Sequence, residues 1–173
     1  MQSSTENWAV YHKGANGGTD PEDYALELNS TSAEFNTATY FNDTAPTSTV
    51  FTVGNGGAVN SSGQTFVAYL FATVAGVSKC GSFSHTNGSA TDVDCGFSSG
   101  AKLVICKRTN DTSSWYIFDT ARGSIVAGND PHQELNSVGS ETTGFDVIDP
   151  LSSGFTIASG FLSSGTYIFY AVA

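Results

Sequence analysis

The 173-residue chain is long enough for one domain or two small ones, and it is poor in charge: 39 % hydrophobic, 13 % charged, with 19 glycines. Asp and Glu outnumber Lys and Arg 16 to 6, for a formal net charge of −10. That surface repels phosphate, which argues against nucleic acid and anionic membranes as partners. No run of about 18 apolar residues is present to insert into a bilayer. Met1 to Asn7 are polar and show no apolar core of a secretory signal.

Apolar residues alternate with period two along most of the chain, so strands are expected over 8–13, 24–29, 38–41, 49–53 and 65–74. The series continues with 77–83, 92–97, 102–108, 115–120, 132–136, 145–148, 155–158 and 166–172. Gly17-Gly18, Gly56-Gly57, Asn87-Gly88, Ser99-Gly100 and Ser164-Gly165 punctuate it as turns. Short strands separated by such turns predict an all-β fold, an antiparallel β-sandwich or jelly-roll-like arrangement.

The chain also repeats itself. Trp8-Ala-Val-Tyr11 matches Trp115-Tyr-Ile-Phe118, and Glu27-Leu-Asn-Ser30 matches Glu134-Leu-Asn-Ser137, both 107 positions later. Pro46–Val53 matches Pro150–Ile157 at an offset of 104, and Thr65–Ala72 matches Thr166–Ala173 at 101. Two pseudo-repeated units follow, a partial one over 1–76 and a complete one over 77–173 of about 100 residues. Segment 73–114 precedes the second tryptophan and has no counterpart before Trp8. The first unit is therefore expected to be incomplete: a piece of a longer array, or a unit that borrows strands from the second unit or a neighbouring chain. Inter-subunit burial is one expected role for apolar runs such as Phe66–Val77 and Tyr167–Val172.

Signals for chemistry are sparse. Acidic clusters occur at Asp20/Glu22/Asp23, Asp92/Asp94, Asp130/Glu134 and Asp146/Asp149, but spacing alone does not set two carboxylates across a cleft as a glycosidase needs. The same clusters could supply oxygens to Ca²⁺, although only Asp92-Val-Asp94 approaches a calcium-loop pattern, and no other cofactor is indicated. Ser-Ser-Gly recurs at four turns, which marks turn chemistry; nothing resembles a nucleophile elbow or a phosphate loop. No enzyme is expected. His12, His85 and His132 are scattered, and Cys80, Cys95 and Cys106 lack metal spacing. Free thiols are expected, with a Cys80–Cys95 pairing left open by their neighbouring strands. Lys102, Lys107 and Arg108 read as partners for acidic loops. Trp8 and Trp115 occupy equivalent repeat positions and are expected in the core. Tyr11, Tyr40 and Tyr116 are the candidate rings for stacking on a glycan.

The runs 8–13, 26–31 and 44–54, together with Cys95–Lys102, 115–130 and Asp149–Phe155, resemble a module of large marine bacteriophage structural proteins. The closing Gly165-Thr-Tyr-Ile-Phe-Tyr-Ala-Val-Ala173 is similar to how those proteins end. The resemblance implies a non-enzymatic virion-surface protein of tail-fibre type that attaches to a host receptor or surface glycan. It also implies contact with other virion proteins and a homo-oligomer, a trimer in the case of a fibre. A capsid decoration subunit and a fragment of a glycan-degrading depolymerase are the two alternatives.

Overall fold

A computed structural model of the protein describes residues 6–173; the first five positions of the polar opening stretch lie outside them. Eleven strands form three antiparallel sheets among the described residues. The strands are β1 (Ala9–Val10), β2 (Tyr24–Glu27), β3 (Phe35–Asn36), β4 (Ser78–His85), β5 (Thr91–Asp94) and β6 (Leu103–Arg108). They continue as β7 (Trp115–Asp119), β8 (Gln133–Glu134), β9 (Ile148–Leu151), β10 (Gly154–Ile157) and β11 (Gly165–Val172). No helix among them is long and apolar enough to cross a membrane.

Residues 78–173 build a sandwich. Its larger sheet has the order β4-β11-β6-β7-β8 and the smaller one β5-β10-β9. Alternation sends Val104, Cys106, Phe118, Tyr167 and Phe169 toward Val93, Ile148, Phe155 and Ile157 of the smaller sheet. Each fully buried side chain of this set contributes about 2–3 kcal/mol of transfer free energy. The opposite face of the larger sheet is covered as well. There Ile105, Trp115 and Ile168 meet Val10, Tyr24 and Leu26 of the third sheet, β1-β2-β3. With both faces covered, β11 reads as a nearly continuous apolar run. The apolar stretch Tyr167–Val172 is thus buried within one chain, between β4 and β6, and not between subunits.

The repeat is visible in the hydrogen bonds. Ala9 faces Glu27 and Val10 faces Leu26, as Tyr116 faces Glu134 and Ile117 faces Gln133. Leu28 N–H donates to Trp8 O at 2.9 Å, and Leu135 N–H to Trp115 O at 2.9 Å. The side-chain oxygens of Asn29 and Asn136 accept from the N–H of Trp8 and Trp115 at 2.9 and 2.6 Å. Every one of these pairs is separated by the sequence offset of 107.

Beyond those blocks the two halves diverge. Leu151 and Gly154 close the β9–β10 hairpin, and at the matching positions Thr47 N–H donates to Val50 O at 2.9 Å. The turn forms, but its arms do not: 49–53 and 65–74, expected as strands, contain none. Their counterparts β10 and β11 pair with β5, β4 and β6, and among the described residues 49–53 and 65–74 find no such partner strands. The expectation at 38–41 is also corrected, because Ala38–Phe41 is a single helical turn (α1). Thr37 caps it by accepting from Thr39 N–H at 3.2 Å, and Asn42 ends it with φ 55°. Capping at both ends outweighs the local alternation there.

Trp115 is buried and its Nε1–H donates to Glu27 O at 2.9 Å, tying the outer layer to the sandwich. Trp8, expected in the core, is instead 39 % exposed, and its ring stacks on Tyr69, itself exposed, at 6.4 Å. Two polar side chains complete the junction. The Lys107 ammonium is fully buried and donates to Thr31 O and Ser113 O, not to an acidic loop; burial lowers it to about 8.

His12 Nε2 lies 3.1 Å from Phe169 O, while Nδ1 accepts from Gly14 N–H at 3.0 Å, an arrangement that suits a neutral ring. Burial, with help from Lys13, lowers His12 to about 4. The stability this group contributes is complete above its unfolded value near 6.5 and is lost as pH falls from there toward 4. We expect a loss of about 2–3 kcal/mol across that window that His12→Gln does not show. Urea unfolding of both proteins at the two ends of the window measures it, and equal slopes would contradict it.

Candidate functional site

The facing edges of the two sandwich sheets leave an open groove of about 400 Å³. In β5, Val93 turns into the core, so alternation sends Asp92 and Asp94 outward together onto one side of the groove. In β4, Lys79, Ser82 and Phe83 line the other side, and Lys13 reaches the rim from the loop after β1. Gly81 shapes the floor: a Cβ there would stand 2.6 Å from Phe169 Cζ, so only glycine lets that ring lie across the strand.

The charges are positioned but not spent on one another. Asp92 Oδ1 accepts from Thr156 Oγ1–H at 2.6 Å, and Asp94 Oδ1 accepts from Gly96 N–H at 2.8 Å. Among the described residues neither carboxylate forms an ion pair with Lys13 or Lys79. Each carboxylate keeps acceptor capacity and each ammonium keeps donors. An open trough of this kind, with a half-buried phenyl ring in its wall, can hold a hydroxyl-rich ligand.

The three candidate tyrosines do not converge on the groove. Tyr11 and Tyr40 come together in the outer layer through Phe41, with ring centroids 5.7 and 6.3 Å from it. The Tyr40 hydroxyl donates to Glu27 Oε1 at 2.9 Å, and burial together with that carboxylate pushes the phenol up to about 12. Tyr11 is raised by burial and by the Glu22 charge. Tyr116 lies elsewhere. Its ring is half-buried and packs against His132 at 5.7 Å and Phe161 at 5.5 Å on the core side of the larger sheet, apart from Tyr11 and Tyr40.

The other candidates sort by burial. Asp130 is fully buried and accepts four backbone N–H groups, so it is structural. Arg108 pairs with Asp111 at 3.3 Å, and Lys102 donates to Ser99 O. Cys80, Cys95 and Cys106 are free; the Cys80–Cys95 pairing does not form, because Cys95 is buried behind β5 and Cys80 faces Phe71 O. Among the described residues no three His, Cys, Asp or Glu side chains gather to hold a metal ion. Sequence reasoning saw the Asp92/Asp94 pair but missed Lys13, Lys79, Ser82 and Phe83. Lys79, Ser82 and Phe83 meet it only through the pairing of β4 with β11 and the stacking of two sheets, and Lys13 only through the packing of the outer layer.

The fold and groove define an all-β sandwich with an additional three-stranded layer. A family model described as a domain of unknown function (DUF7483) matches residues 1–173, and the chain belongs to that family. No curated protein and no solved structure matches it.

Proposed function

We propose that this protein is a non-enzymatic bacteriophage virion-surface protein of tail-fibre type, whose groove between β4 and β5 attaches to a hydroxyl-rich host surface glycan. The resemblance of its sequence blocks to marine phage structural proteins supports the virion role. The observation that carries the attachment role is the groove, with Asp92, Asp94, Lys13 and Lys79 around an open trough and no ion pair among them. Donors and acceptors of both signs suit neutral or zwitterionic sugars better than phosphate, in keeping with the net charge of −10.

A glycan array probed with the intact chain tests this. We expect binding to a narrow set of host-type polysaccharides, weakened about tenfold or more by Asp92→Asn with Asp94→Asn, since each lost charged hydrogen bond is worth about 1.5–3 kcal/mol. Tyr40→Phe is expected to leave it unchanged. Binding lost in Tyr40→Phe and kept in the aspartate variant would move the site to the outer layer. No binding to any glycan would overturn the attachment reading, and shortening of the polysaccharide on incubation would establish a depolymerase instead.

A further inference from the structure

The first unit leaves a strand-like segment without a sheet. Thr65-Phe-Val-Ala-Tyr-Leu-Phe-Ala72 matches the block that forms β11, the central strand of the larger sheet. Here it forms no strand, and among the described residues none of its backbone N–H groups donates to a backbone carbonyl. Val67 is 43 % exposed, Tyr69 70 %, Leu70 75 % and Phe71 61 %. Val50, Phe51, Val74 and Val77 are exposed as well. Exposed apolar side chains on a segment whose backbone N–H groups lack backbone partners are a template for strand pairing.

Charge selects the occupant. Between Asp43 and Lys79 the chain carries no Asp, Glu, Lys, Arg or His, although its formal net charge is −10. Two copies repel over most of their surfaces, and this uncharged stretch is where they can approach without opposing carboxylates. We propose that a second copy of this chain docks here. Segment 65–72 of each protomer pairs antiparallel with the same segment of its partner, about a two-fold axis. Such an isologous contact satisfies both exposed segments with one interface. Trp8, which stacks on Tyr69 at 6.4 Å, and Tyr170, against Phe71 at 4.7 Å, hold the segment on the body of each protomer. The inference does not depend on the virion role or on the glycan groove.

Sedimentation equilibrium of the wild-type chain, Leu70→Glu and Ala68→Pro tests it. Leu70 and Ala68 are exposed in the protomer, so both variants are expected to fold, with a circular dichroism spectrum like that of the wild type. The wild type is expected to sediment as a dimer at micromolar concentration. Leu70→Glu brings an unpaired carboxylate into the apolar contact, and Ala68→Pro removes a backbone N–H from the pairing segment; each is expected to weaken the dimer about tenfold or more. A monomeric wild type, a trimer, or a dimer undiminished in either folded variant overturns the proposal. If Ala68→Pro does not fold, Leu70→Glu decides the matter alone.

Discussion

Asp130→Ala is expected to cost about 4–5 kcal/mol, a large part of the stability of a domain this size. Its carboxylate is fully buried and bridges two segments, around 125 and around 147. One oxygen accepts from Ile125 N–H at 2.9 Å and Val126 N–H at 3.5 Å; the other accepts from Val147 and Ile148 N–H at 2.8 Å each. Removing it orphans these buried donors and withdraws support from Ile125, a β-branched residue held at φ 60°. Val147 and Ile148, both fully buried, anchor β9 to the core and would loosen with it. Asp130→Asn keeps the volume but turns an amide N–H₂ toward two donors, so about 3 kcal/mol is expected. Denaturant midpoints of the three proteins measure the series, and a change below about 1 kcal/mol in the alanine variant would contradict it.

Gly154→Ala is the second large effect, expected at about 3 kcal/mol. Gly154 opens β10 and faces Asp94 of β5 on one side and Leu151 of β9 on the other. A Cβ there would collide with the Val93 carbonyl oxygen and stand 3.0 Å from Cys95 N and 3.2 Å from Cys95 Sγ. These are mainly backbone atoms and cannot step aside without moving β5 off β10. Gly160 is the control: a Cβ there meets nothing within 4 Å, so Gly160→Ala is expected to be neutral. Equal midpoints for the two variants would remove the close-approach argument.

These two residues also show what a sequence conceals. Gly154 sits in one of four Ser-Ser-Gly turns, and the pattern does mark turns: Gly63 and Gly100 adopt φ 74° and 75°. Nothing in the motif says that Gly154 is required by a neighbouring strand and not by its own dihedrals. Asp130 looked like one acid of a loop pair, since its partners at 147 and 148 are defined only by the fold. The period-two pattern found most of the sandwich strands, because most alternating runs in 78–173 find a partner, but the run 145–148 shares only Ile148 with β9 (Ile148–Leu151). It failed over 49–53 and 65–74 for the converse reason: a strand is a property of two segments, and local residues do not reveal whether the second exists. The groove was half legible. The Asp-Val-Asp alternation placed two carboxylates on one face, while the lysines and Phe83 opposite depend on long-range pairing.

The electrostatics fit one picture. The charge deficit marks a scaffold whose polar loops carry solvation, and the uncharged stretch from 44 to 78 concentrates apolar exposure where two copies can meet. The groove brings together Lys13, Lys79, Asp92 and Asp94 with no ion pair among them, and a hydroxyl-rich ligand would make use of their spare bonding capacity.

The central claim, a virion-surface protein for attachment, is tested most directly by finding the chain on the particle. Gold-labelled antibody against the protein, applied to intact phage particles that encode it and viewed by electron microscopy, is expected to mark the tail fibres or tail tip. Gold spread over the capsid shell would make it a decoration subunit, and unlabelled particles would contradict the virion role altogether.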